Sequence, residues 1–256
     1  MPIASRPGID LYYEAHGPED APGLIFAHGA GGNATSWWQQ VPEFADRHRV
    51  IVFDHRGFAR SPCRPEKQLA TEFEDDLIAI MDAAGVSRAR IVCQSMGGWT
   101  GVRAAVKYPD RIGGVFLANT PGAVQTPETI DNLPILRDRI EKAGGLGGLA
   151  ISQEYIQRWP AGGLLYRQIN AYNAGHIPNI HDPAVYISPD QVRASGVPFW
   201  VLASDLDVLF PDTMLNAVAR AIGAEYRHVA GAGHSTYFEM PVEFNIVLRE
   251  FLGATG

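Results

Sequence analysis

The chain has 256 residues, 46% of them apolar, enough to bury one large core and consistent with a single α/β domain carrying an insertion. Its 21 basic and 28 acidic residues leave a net charge of −7 with no block of like charge, so neither nucleic acid nor an anionic membrane is expected as a partner. Two cysteines, Cys63 and Cys93, no apolar run of membrane-spanning length and no signal-like N-terminus together read as a cytoplasmic protein without a disulfide framework.

In chain order, residues 9–15 (IDLYYEA) and 23–29 (GLIFAHG) read as strands, 36–47 (SWWQQVPEFADR) as one helix and 49–57 (RVIVFDHRG) as a strand. Residues 71–85 follow as an amphipathic helix. Phe73, Leu77, Ile80, Met81 and Ala84 share one face, Thr71 with Glu74 spells a capping box, and Gly85 suits the position after the helix end. Residues 89–95 (ARIVCQS) form a strand whose apolar centre suits a sheet covered on both faces. A helix over 96–109 and a strand over 112–119 come next, and this alternation implies a mostly parallel sheet with right-handed crossovers.

Between about Pro121 and Gly196 the pattern breaks into interrupted helical runs with paired glycines and many aromatics. Residues 121–196 therefore read as a helical cap inserted into a core made of 1–120 and 197–256. The alternation resumes with a strand over 198–204, a helix opened by Pro211 and closed by Gly223, a strand over 224–230 and a final amphipathic helix over 241–253.

The window Cys93-Gln94-Ser95-Met96-Gly97-Gly98 puts a serine where a buried strand turns abruptly into a helix. A serine attacks well only when a base takes its proton and a sharp turn holds it clear of the sheet. Such a turn tolerates only small neighbours. Gly97 meets that need, Cys93 meets it in part, and the Met96 N–H at the start of the helix is aimed where an oxyanion would develop. Serine is equally a favoured helix N-cap, so this window alone leaves both readings open. Two further sites add weight. The glycine-rich turn FAHGAGGN can bring a second N–H, that of Ala30, opposite Met96, and the loop GAGH places His234 just after the last strand. Asp205 and Asp207 lie in the turn VLASDLDVLFP, either within reach of a histidine Nδ1–H. The order Ser95, aspartate, His234, each past the end of a strand, gathers them on the ligand edge of an open α/β sheet.

These pieces together, HGAGG, FDHRGFARS, QSMGG, DVLFP and GAGH, resemble the α/β-hydrolase fold superfamily over nearly the whole chain. The resemblance implies Ser95 as nucleophile, His234 as base and then acid, Asp207 as its orienter, and the N–H groups of Ala30 and Met96 as the oxyanion hole. Asp207 is preferred to Asp205 because the family's acid stands four residues before the proline opening the next helix. Asp54, His55, Arg56 and Gly57 match a structural motif, and His28 belongs to the oxyanion loop, bracing it rather than moving protons. Cys93 departs from the usual glycine.

No cofactor is implied, and His16, His48, His176, His181 and His228 have no metal-like spacing. The expected partner is a small-molecule substrate. Trp37, Trp99, Tyr155, Trp159 and Tyr166 are candidate pocket residues, and their composition suggests an apolar or aromatic ligand. The expected reaction is hydrolysis of a carboxylic ester or lactone through an acyl-enzyme on Ser95. Carbon–carbon hydrolysis of ring-fission products, or a lyase reaction, is the alternative on the same residues, and a ligand receptor keeping the fold is a third.

Overall fold

The computed structural model describes residues 2–173 and 177–255; His176 lies outside them. Eight strands form one sheet: β1 (Ile3–Arg6), β2 (Ile9–His16), β3 (Gly23–Ala27), β4 (Arg49–Phe53), β5 (Ala89–Gln94), β6 (Ile112–Ala118), β7 (Phe199–Ser204) and β8 (Glu225–Val229). Their spatial order is β1-β2-β4-β3-β5-β6-β7-β8. The pairs β1/β2 and β2/β4 are antiparallel and the others parallel. The helices are α1 (Val41–Phe44), α2 (Phe73–Ala83), α3 (Gly97–Lys107), α4 (Pro127–Lys142), α5 (Gln153–Arg158), α6 (Pro160–Ala171), α7 (Pro189–Ala194), α8 (Asp212–Ile222), α9 (Thr236–Glu239) and α10 (Pro241–Ala254). This is the expected α/β architecture, a mostly parallel sheet flanked by helices. No described helix is long and apolar enough to cross a membrane.

The period of two in the strands divides the core. Ile25, Ile91, Val115 and Val201 point to the face covered by Leu77 and Ile80 of α2, Val102 of α3 and Leu215 and Val218 of α8. Leu24, Val92, Phe116 and Leu202 point to the other face, against Trp37 and against Phe244, Leu248 and Phe251 of α10. Central strands buried on both sides lose register only by exposing a whole row of apolar groups, which fixes where each strand ends and hence where the loops at its carboxyl end stand.

Two local expectations fail for identifiable reasons, and one strand adds to those expected. The single helix over 36–47 is instead a 3-10 turn, Ala34–Trp37, capped reciprocally by Asn33 and Ser36, followed by the one-turn α1. Pro42 cannot donate to the carbonyl four residues back and clashes with it, so a helix running through both segments is excluded. The capping box of Thr71 and Glu74 does not form: a 3-10 turn, Ala70–Glu72, precedes α2, whose N-cap Glu72 makes no side-chain cap. Glu74 is buried and pairs with Arg103 of α3 at 2.6 Å, a stronger use of a carboxylate than a cap. Strand β1 was also not expected, because four residues ahead of a turn carry little periodic signal.

Residues between β6 and β7 leave the sheet and return. They carry α4 to α7 and, among the described residues, contribute no strand to the sheet. At the base of this excursion Val124 bridges Ile187, with Gln125 N–H donating to Ile187 O at 3.0 Å and Ile187 N–H to Ala123 O at 2.9 Å.

Candidate active site

Ser95 follows the last residue of β5 and has φ of +50°, a left-handed conformation that a non-glycine residue holds only against a cost of about 1–3 kcal/mol. Its surroundings enforce the turn. The Ser95 carbonyl accepts from Thr120 Oγ1 at 2.8 Å and from the Gly98 N–H at 2.9 Å. A Cβ on Gly97 would lie 2.2 Å from the Ala27 carbonyl oxygen, so only glycine lets α3 start this close to β3.

Cys93 has a steric counterpart in α3. A Cβ on Gly101 would lie 2.3 Å from its sulfur, so the thiol occupies the room that the missing side chain leaves. Burial pushes the Cys93 thiol above its ordinary pKa and keeps it unreactive. Cys93→Gly is expected to keep most activity and lose about 1 kcal/mol, whereas Cys93→Leu should lose about 1–3 kcal/mol through overpacking. Urea unfolding of both variants checks this ranking; equal losses would show that the space around the sulfur is not tight.

His234 sits in the loop after β8, buried, with Nδ1 3.0 Å from Asp207 Oδ2. Since the carboxylate can only accept, Nδ1 carries the proton and Nε2 is left as the acceptor. Asp207 is held on both oxygens. Oδ1 accepts the N–H groups of Leu209 at 2.8 Å and Phe210 at 3.1 Å, while Oδ2 also accepts from Asn119 Nδ2 at 3.1 Å. Asp205 is turned away and accepts from the Gly231 N–H at 2.7 Å. Ser95 and His234 line the same cavity; no hydrogen bond joins their side chains among the described residues, and such contacts commonly tighten when substrate arrives.

Asn119 escaped the sequence reading. Just past the end of β6 at φ of +52°, it donates to Ser204 Oγ at 2.7 Å as well as to Asp207, and its Oδ1 accepts from Thr236 Oγ1 at 2.7 Å. It thus ties the acid turn to the histidine loop. The available signal was an asparagine directly after an apolar strand, one of the non-glycine residue types that tolerate a left-handed turn. Glu239 was also missed. This buried carboxylate accepts from Gly233 N–H at 3.0 Å and Ser152 N–H at 3.1 Å, joining the histidine loop to the excursion between β6 and β7.

The glycine-rich loop after β3 is braced by His28. Its Nε2 accepts the His55 N–H at 2.9 Å, so Nδ1 carries the proton and donates to Gly29 O at 2.8 Å. Both nitrogens are committed in the neutral form. Burial lowers the His28 pKa from 6.5 to about 4 and holds His55 well below 6.5. Between those values the unfolded chain binds protons that the folded chain refuses, so stability is complete above pH 6.5 and declines as pH falls toward 4. His28 alone should account for roughly 2 kcal/mol between pH 7 and pH 5. Urea titrations at a series of pH values test this, and a flat unfolding free energy over that range would contradict it.

Ala30 lines the same cavity as Ser95, Met96 follows Ser95 in the chain, and neither backbone N–H donates to another described group. Ala30, Ser95 and His234 open on a cavity of about 170 Å³, whose other walls include Phe58, Gln94 and Leu209 from the core and Tyr166 and Asn170 from the excursion. Of the five aromatic pocket candidates, Tyr166 lines this cavity. Trp37 is instead fully buried beneath the loop, stacked 4.9 Å from Phe26 and 4.3 Å from Tyr237. Trp99 lines a narrower apolar cavity next door, with Phe210 and His181. Tyr155 packs edge-on against Phe238, and Trp159, 40% exposed, packs on Tyr155. Aromatic composition marked the region but could not tell packing from pocket wall.

An eight-stranded, mostly parallel sheet with a serine turn, an aspartate turn and a histidine loop along one edge is the arrangement of the α/β-hydrolase fold. Residues 22–142 match the family model described as alpha/beta hydrolase fold. The chain is 28% identical over 99% of its length to a protein of Azorhizobium caulinodans named "Putative carbamate hydrolase RutD", of which it covers 98%. Among solved structures, that of Est816, titled an N-acyl homoserine lactone degrading enzyme, is 28% identical at a TM-score of 0.80, covering 98% of this chain and 100% of that one. The esterase from Thermogutta terrifontis is 26% identical at a TM-score of 0.81, covering 100% and 98%. By fold and by these matches the chain is a hydrolase of the α/β-hydrolase fold.

Proposed function

We propose that the chain is a serine hydrolase of carboxylic esters or lactones that works through an acyl-enzyme on Ser95. The observation that carries this reading is the Asp207–His234 hydrogen bond, which fixes the proton on Nδ1 and leaves Nε2 free beside the cavity that Ser95 lines. Ser95 Oγ gives its proton to His234 Nε2 and attacks the substrate carbonyl. The oxygen that gains charge is received by the Ala30 and Met96 N–H groups. His234 returns the proton to the leaving oxygen, then activates water, and the acid departs. The excursion between β6 and β7 serves as the cap over the site.

The relatives support an acyl substrate, since their names cover an ester, a lactone and a carbamate. A carbamate is the second reading, favoured by the name of a relative that matches 99% of the chain. The test is a product-resolved screen of p-nitrophenyl esters, lactones, carbamates and a ring-fission dienone, run beside fluorophosphonate labelling. Ester or lactone turnover with the label on Ser95 is expected. Exclusive dienone cleavage, or labelling elsewhere, would sink the proposal.

A further inference from the structure

The Tyr166 side chain, 3% exposed, has a hydroxyl proton that nothing in the described chain takes up. Its oxygen is 3.3 Å from Ser235 Oγ, the residue after His234. Ser235 Oγ–H donates to the Tyr166 oxygen, an arrangement that leaves the phenolic hydrogen unused.

The ring is held in place from several directions. Phe238 meets it edge-on at 5.1 Å. Helix α6, which carries it, is stitched to the oxyanion loop by Asn33 Nδ2 donating to Ile169 O at 2.9 Å, and Asn173 Nδ2 donates to Gly32 O at 3.1 Å. The hydroxyl also lies directly against that loop: a Cβ on Gly31, the residue after Ala30, would stand 2.7 Å from it. Tyr166 lines the cavity together with Ala30, Gly31, Ser95 and His234.

We propose that the Tyr166 hydroxyl donates a third hydrogen bond to the substrate oxygen that becomes the oxyanion, beside the N–H groups of Ala30 and Met96. This rests on the acyl-transfer reading of Ser95. Burial pushes the phenol up to about 12, so the hydroxyl keeps its proton and remains a donor throughout the neutral range. A fixed donor aimed at developing charge needs no reorganisation during reaction, and loss of one such donor lowers turnover by roughly 10²-fold.

Tyr166→Phe should therefore lower kcat/KM by roughly 10²-fold, with only the small fall in unfolding midpoint that the unpaired Ser235 hydroxyl brings. Affinity for a trifluoromethyl ketone, whose adduct on Ser95 carries the oxyanion, should fall by the same factor, and affinity for the unfluorinated ketone should not change. Tyr172→Phe, at a side chain 77% exposed, is the control and should match wild type. Gly31→Ala should impair the wild-type enzyme by crowding the hydroxyl, yet add little to Tyr166→Phe, where the crowded atom is gone.

Undiminished turnover in Tyr166→Phe, with Ser95→Ala inactive, overturns this assignment alone. So does a loss that grows with leaving-group pKa at constant ketone affinity, because the donor would then serve the leaving oxygen. Turnover surviving Ser95→Ala would remove the acyl-enzyme reading and this one with it.

Discussion

Ser95→Ala is expected to lower kcat by roughly 10⁴ to 10⁶, with substrate binding largely kept, because in the proposed mechanism the serine and histidine act as a unit. Adding His234→Ala to it should change little further. Multiplying losses in the double variant would show that the two residues act independently and would break the assignment. The same position offers a control on the backbone. Ser95 holds φ of +50°, so Ser95→Gly relieves strain while Ser95→Ala does not, and the glycine variant should be equally inactive but more stable by roughly 1 kcal/mol. Steady-state kinetics and urea unfolding of the three variants separate the loss of the nucleophile from damage to the turn.

Asp207→Asn should lower kcat by roughly 10⁴, and Asp205→Asn by no more than a few-fold. The geometry supplies the reason. Oδ1 of Asp207 receives two backbone N–H groups, from Leu209 and Phe210, so an asparagine at this position must direct its carbonyl oxygen there. Its NH₂ group then faces His234 Nδ1 and the Asn119 amide, both of them donors. To accept from that NH₂ the imidazole must move its proton to Nε2, and it can then no longer take one from serine. The carboxylate of Asp205, bonded to the Gly231 N–H, has no such neighbour. Kinetics on the purified, folded variants decide the matter, and the reverse ranking would transfer the role to Asp205.

The sequence was most readable where one requirement dominates. Buried parallel strands must be apolar throughout, and seven of the eight strands announce themselves in that way or by alternation. The tight turn at Ser95 must have small neighbours, which makes Gly97 visible. Legibility ended where two requirements competed for one residue. Glu74 looks like a cap in one dimension and is an ion-pair partner of Arg103 in three. Trp37 looks like a pocket wall and fills the space under a loop. Asn119 and Glu239 act through partners 85 or more residues away in sequence, by hydrogen bonds to Ser204 and Asp207 in one case and to Ser152 in the other, and no local pattern encodes such distances. The placement of Tyr166 depends on how α6 docks on the oxyanion loop, which follows from side-chain amides reaching backbone carbonyls rather than from periodicity.

Val124 and Ile187 pinch the excursion together at its base. Everything from Gln125 to Tyr186 is, in polymer terms, a loop whose ends are already joined, and the closure entropy of such a loop grows only logarithmically, by about 0.6 kcal/mol for each doubling of its length. Insertions and deletions within it are therefore nearly free to the sheet. The same stretch supplies Leu146, Ala150, Tyr166 and Asn170 to the wall facing Ser95. A different excursion spliced in between these two points would present a different wall to the cavity while leaving the strands, the serine turn and the histidine loop in place.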